Sequence, residues 1–152
     1  MTMPAGTETA SAAATTPSRI EAFRVAPPVR LSVLWASLMS LYIYNDYFIL
    51  FMPGTIEGMS AGSLGPLGVV TDAKMLAVAC VLAIPASMVF LSSTLPSSLS
   101  RWLNLILGPI YTIIAVLTLF GSPPFYKFIV SVEIVATLII IWTAARWPRT
   151  SG

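Results

Sequence analysis

The sequence predicts an all-α membrane protein: an up-down bundle of four transmembrane helices, N-in/C-in, with both termini cytoplasmic. Three observations carry that prediction. The 152 residues are 57% hydrophobic and only 9% charged, with a mean hydropathy of +0.87. A soluble domain carries about 25% charged residues, so most of this surface has to face lipid. The apolar residues gather into four long runs, and the basic residues cluster at alternate ends of those runs.

Residues 1–29 are rich in Ala, Thr, Ser and Pro. Such a segment buries too little apolar surface to offset its ordering entropy, and a disordered cytoplasmic tail is expected. No basic start followed by a short apolar core lies near Met1, so no cleaved signal peptide is expected. The transmembrane domain then covers 30–149, with spans at about 31–52, 73–95, 102–120 and 125–145. Each run holds about 20 residues, which at about 1.5 Å per residue matches a hydrocarbon core about 30 Å thick. Backbone groups in lipid must be satisfied locally, and the runs are therefore helices. Pro85 and the pair Gly108-Pro109 fall inside runs and mark candidate kinks, which neighbouring helices can stabilise by satisfying the freed carbonyl.

Orientation follows from the basic residues. Arg19, Arg24 and Arg30 precede the first run, Arg101 lies between the second and third, and Arg146 and Arg149 follow the fourth; only Lys74 and Lys127 lie opposite. The arginine-bearing ends are expected on the cytoplasmic side of a cell membrane crossed several times. Trp35, Trp102, Trp142 and Trp147 fall toward those ends, and Tyr47, Phe51, Phe125 and Tyr126 toward the others, as interfacial anchors do. The tight turns at 96–101 and 121–124 predict adjacent antiparallel helices. The outer connection 53–72 is long for a structureless loop. Two readings stand for it: a flexible cap with one helical turn after Pro53, or a short re-entrant helix packed through Gly54, Gly58 and Gly62.

Composition excludes several functions. The chain has no histidine and one cysteine, Cys80, which removes intrachain disulfides, His-ligated haem, and Ser-His or Cys-His catalysis. No metal site, no cofactor and no nucleic-acid partner are expected, and no recognisable nucleophile-base set marks an enzyme.

What remains is two carboxylates inside apolar runs, Asp46 and Glu133. Insertion scales charge about 2.5–3.5 kcal/mol for Asp at a helix centre, so such groups usually face other helices or a cavity. Asp46 lies about a turn and a half from the outer end of its run and Glu133 about two turns from its own, which puts both in the outer half at similar height. Tyr111 falls near that level and Asn45 flanks Asp46. No Lys or Arg lies deep enough to pair with either acid. A single proton shared by the two acids, with Tyr111 or Asn45 hydrogen-bonding, is one expected state. The alternatives are neutral acids that only hold helices together, or an Asp46 hydrated at the interface. Ala79, Ala83 and Ser87 form a small-residue stripe that predicts close helix packing, within the bundle or between protomers.

Tyr44-Asn45-Asp46-Tyr47 leading to Pro53-Gly54, Arg101-Trp102-Leu103-Asn104 with Gly108 and Tyr111-Thr112, and Glu133 followed by Trp142 and Arg146-Trp147-Pro148 together carry a resemblance. The set resembles an uncharacterised family of small bacterial four-span integral membrane proteins, catalogued as a domain of unknown function, and is distantly similar to DoxX-like membrane proteins. The resemblance implies a bacterial inner-membrane protein and supplies no catalytic residue. Two functions are expected from the residues: a small proton- or cation-linked carrier using Asp46 and Glu133, functioning as a homodimer, or an accessory subunit of a larger membrane complex. A membrane enzyme acting on a lipid or quinone has the least support.

Overall fold

The computed structural model describes residues 25–147. The tail reading for 1–24, and Arg19, Arg24 and Arg149, lie outside the described residues. Within them the chain is all-helical, with five α-helices and one 3-10 turn. Helix α1 runs Pro27–Ile49, α2 Thr55–Ser60, α3 Asp72–Thr94, α4 Ser97–Thr118 and α5 Pro124–Ala145. Helices α3, α4 and α5 are each long and apolar enough to cross a membrane, which marks the chain as a membrane protein. At 23 residues α1 is as long as these. Ser37, Ser40, Asn45, Asp46 and three tyrosines make it less apolar.

Local chemistry explains the ends. Pro27 and Pro28 open α1, where a missing N–H costs nothing, so the helix starts inside the segment read as tail. After Ile49 the chain tightens into successive i→i−3 bonds, such as Met52 N–H to the Ile49 carbonyl at 3.0 Å, before Pro53. Thr71 caps α3, its hydroxyl accepting from Lys74 N–H at 3.3 Å. Helix α4 begins at Ser97, five residues before its apolar run, because a polar first turn reads as loop on a hydropathy scale. Only Leu95 and Pro96 separate α3 from α4.

The connection 53–72 is structured. Gly54 (φ 82°) and Gly62 (φ 76°) bracket α2 in left-handed conformations. They turn the chain instead of forming a helix face, and α2 buries no residue, so the glycine-stripe helix is replaced by a short exposed turn. Beyond it a 3-10 turn at Gly65–Leu67 sits inside an antiparallel bridge between Ser63 and Val69.

Helix α1 packs extensively against α3 and α5, and α5 against α4, whereas α3 and α4 touch only sparingly. A tight turn therefore does not put α3 and α4 into close contact along their lengths. The core centres on Leu31, Trp35 and Leu38 of α1 with Met88, Tyr111, Ala136 and Ile140. Burial is inverted relative to a soluble protein. Asn45, Ser92, Ser100, Asn104, Glu133 and Thr137 are buried, while Leu76, Phe90, Leu117 and Phe128 are more than half exposed. Lipid is the solvent for which that distribution is favourable.

Close packing of α4 on α5 depends on Gly108, where a Cβ would lie 2.6 Å from Ile141 Cγ1. Four residues on, the Thr112 hydroxyl bonds to the Gly108 carbonyl at 2.9 Å and pairs with Thr137 Oγ1 at 2.8 Å. Trp35 departs from its expected role as an interfacial anchor. It is fully buried, donating Nε1–H to Asn104 Oδ1 at 2.6 Å and meeting Tyr111 edge-on at 5.7 Å. Asn104 in turn donates to the Ser100 carbonyl at 2.8 Å and to Ser92 Oγ at 3.3 Å. An indole N–H buried among helices needs such an acceptor, and the Asn104 amide provides it.

The arginine-bearing ends are tied by backbone carbonyls. Arg101 Nε donates to the Ala144 carbonyl at 3.0 Å; Ser32 donates to the Val89 carbonyl. Arg146 stacks its guanidinium 3.8 Å above the exposed Trp142 ring.

Candidate functional site

At the opposite end, a cavity of about 560 Å³ opens among the helices beneath the 53–72 connection. Helix α1 contributes Tyr42, Asn45 and Asp46, and α5 contributes Tyr126 and Glu133. The walls are apolar: Ala77, Val78, Val81 and Leu82 from α3, with Ile114 and Ala115 from α4. Leu67 and Lys74 line it from the side of the connection. The spacing on each helix accounts for the set. Tyr42 stands three and four residues before Asn45 and Asp46, and Tyr126 seven before Glu133, intervals that share a helix face.

Asn45 and Glu133 form the deepest part, at 3% and 2% exposure. Asn45 Nδ2 donates to Glu133 Oε1 at 3.5 Å, the long limit of a hydrogen bond. Its other amide atom, Oδ1, has no partner; the second such buried atom among the described residues is Thr143 Oγ1 on α5. A buried amide oxygen without a donor loses the hydrogen bond it had in water, at a cost of about 1–3 kcal/mol. Asp46 is one residue on, about 100° around the helix. It lines the cavity yet, unlike Asn45, is exposed at the surface of the bundle. The four residues expected to meet, Asp46, Glu133, Tyr111 and Asn45, thus do line one cavity.

Of the two hydrogen-bonding partners expected for the acids, Asn45 is the one that donates to Glu133, and among the described residues no hydrogen bond joins the two acids to each other. Tyr111 does not serve the acids, because its hydroxyl donates to the Val81 carbonyl at 2.7 Å. Val81 lies four residues before Pro85, which has no N–H to give. Tyr111 therefore supplies the donor that the proline removes, holding α4 to α3 at the cavity wall.

Lys74 closes the roof. Its Nζ donates to the Leu67 carbonyl at 2.6 Å and to the Val69 carbonyl at 2.9 Å, pinning the connection over the cavity. The sequence places Tyr126 and Lys74 at the outer end and reads Tyr42, with Tyr44 and Tyr47, as an interfacial anchor or a stacking face for an aromatic ligand; the structure sets Tyr42, Tyr126 and Lys74 on the cavity wall. The signal for the tyrosines was their helical spacing from the acids, masked by the expectation that tyrosines near span ends are anchors. Tyr44 and Tyr47 do lie on the exposed surface, packed with Phe48 and Phe51. The Ala79, Ala83 and Ser87 stripe lies on the exposed face of α3 with Cys80, outside the core, so it makes no packing within the fold.

The arrangement offers oxygen acceptors at one end of an apolar chamber. That suits a ligand presenting N–H or O–H donors. Neither the curated proteins nor the solved structures hold a match to this chain. One family model, described as a family of unknown function, matches residues 23–151 and takes in every helix and the whole cavity; the chain belongs to that family, DUF6326.

Proposed function

We propose that the chain is a four-span bacterial inner-membrane protein and a small proton- or cation-linked carrier. In this reading α1 is the fourth span, completing the up-down bundle expected from four apolar runs joined by short turns. The arginine-bearing ends face the cytoplasm, supported by Arg30, Arg101 and Arg146 against Lys74 and Lys127. The observation that carries the carrier reading is the unpartnered Oδ1 of buried Asn45, beside Glu133 in a cavity that Asp46 also lines. Intramembrane acids facing a cavity mark ion and proton pathways.

The test is flux in proteoliposomes loaded with a pH-sensitive dye, under imposed proton and cation gradients. Wild type is expected to pass protons or a cation faster than empty vesicles, and Glu133→Gln and Asp46→Asn to lose that flux. Equal flux in wild type and both variants refutes the carrier. A second reading, an accessory subunit of a larger membrane complex, is favoured by the exposed small-residue stripe, which leaves α3 able to approach another helix closely. Stable co-purification of one larger partner, unchanged in Asp46→Asn and Glu133→Gln, supports it.

A further inference from the structure

We infer that the ligand of this cavity is an amphipathic organic cation, a protonated amine on an apolar body, held by Asn45 and Glu133 with its body along α3 and α4. The inference rests on the carrier's site as proposed above and specifies what that site takes. Size comes first. About 560 Å³ is within the range of small-molecule pockets, whereas liquid water takes about 30 Å³ per molecule, so a bare ion would leave most of the chamber unfilled.

Ligand number points the same way. Hard cations such as Ca²⁺ take about six to eight oxygens, and among the described residues no three acidic or cysteine side chains converge on one point. The deepest polar groups are one amide and one carboxyl. An ammonium group has three donors and no acceptor. It matches the free Oδ1 of Asn45 and the Glu133 carboxylate together, and Asp46 adds attraction at the rim. Tyr42 and Tyr126 line the same cavity, and an aromatic ring within reach stabilises a cation.

The apolar walls account for the body. Val78, Leu82 and Ile114 line the chamber, and apart from the Tyr111–Val81 hydrogen bond α3 and α4 meet only sparingly, so an apolar chain can lie along them and extend into lipid. On the side of the connection, both hydrogen bonds of Lys74 fasten residues 67 and 69. Lys74 is the basic residue lining the cavity. Its commitment to carbonyls leaves the carboxylates available to a cationic guest.

Calorimetric titration of the full-length protein in maltoside micelles tests this with a panel of probes on wild type. We expect saturable binding of 2-phenylethylamine. Its trimethylammonium analogue, which keeps the charge and loses every N–H, is expected to bind at least about tenfold more weakly, as is neutral 2-phenylethanol. Na⁺ and K⁺ should not compete. Asn45→Leu and Glu133→Gln should each weaken amine binding by about tenfold or more, and because the panel is read on wild type, a variant that fails to fold does not remove the test. A membrane amine could equally come from a lipid headgroup. Nanodiscs of phosphatidylethanolamine that abolish 2-phenylethylamine binding, where phosphatidylcholine discs do not, identify the headgroup as the natural source of the same chemistry. Binding that persists in both discs identifies a free amine. Proton or Na⁺ flux that depends on Glu133 without any amine binding overturns the ligand class and leaves the carrier intact. Amine binding without flux overturns the carrier and leaves the ligand class. Tight binding of the trimethyl analogue, or amine binding unchanged in both variants, overturns the assignment to Asn45 and Glu133.

Discussion

Replacing Tyr111 by Phe removes one oxygen and keeps the ring that meets Trp35 edge-on. The lost hydroxyl is the donor at 2.7 Å to the Val81 carbonyl, whose helical donor is missing because residue 85 is proline. Side-chain hydrogen bonds between membrane helices average about 0.6 kcal/mol and reach about 1.7. Leaving a buried carbonyl bare costs about 1–3 kcal/mol. The bond is partly buried, so Tyr111→Phe should cost about 1–1.5 kcal/mol. Context decides whether this account is right. In a Pro85→Ala background residue 85 regains its N–H, Val81 is satisfied within α3, and the same Tyr111→Phe change should cost less than about 0.5 kcal/mol. The coupling across the double-mutant cycle is then about 1 kcal/mol. Reversible SDS unfolding in mixed micelles, followed by far-UV circular dichroism, measures all four species. An equal cost of Tyr111→Phe in both backgrounds would refute the idea that the tyrosine substitutes for the proline's missing donor.

Two other changes probe the packing beneath the cavity. Gly108→Ala places a methyl 2.6 Å from Ile141 Cγ1; overpacking of about 1–3 kcal/mol, less about 1 kcal/mol of helix propensity, should lower the unfolding midpoint, and Gly108→Ala with Ile141→Ala should lose less than the sum of the two. Asn104→Ala strips the acceptor from a fully buried indole N–H. It should cost about 2–3 kcal/mol in the same assay, while Trp35→Phe should relieve part of that cost.

The helices were legible in the residues to different degrees. Runs from Ala73 and Phe125 match α3 and α5 to within a residue at their starts, because Thr71 and Pro123-Pro124 punctuate the chain there. The run from Trp102 missed the first turn of α4, since Ser97, Ser98 and Ser100 are polar yet helical. Asp46 and Glu133 stood out by type, each an acid in an apolar run. That Asn45 would be the buried neighbour and Asp46 the exposed one could not be read from adjacent positions, which differ only by a rotation about the helix axis. The hydrogen-bond partners of Trp35 and Tyr111 escaped the sequence for a related reason. Each has a polar atom whose partner, Asn104 or the Val81 carbonyl, is distant in sequence.

Composition and run length by themselves determined the solvent and the helices. Chain polarity this low is stable only against hydrocarbon, and hydrocarbon admits no irregular backbone without a partner. Facing is a different matter. A helix whose apolar residues favour no one side carries no stripe to mark its inward face, and α3 and α5 are of that kind. Only the packed structure decided which faces met. Gly108 admits Ile141, the Pro85 gap recruits Tyr111, and α3 and α4 remain loosely joined around a chamber floored by Asn45 and Glu133. In lipid those choices depend on close contact and on hydrogen bonds between distant residues, and neither is written in the order of apolar residues.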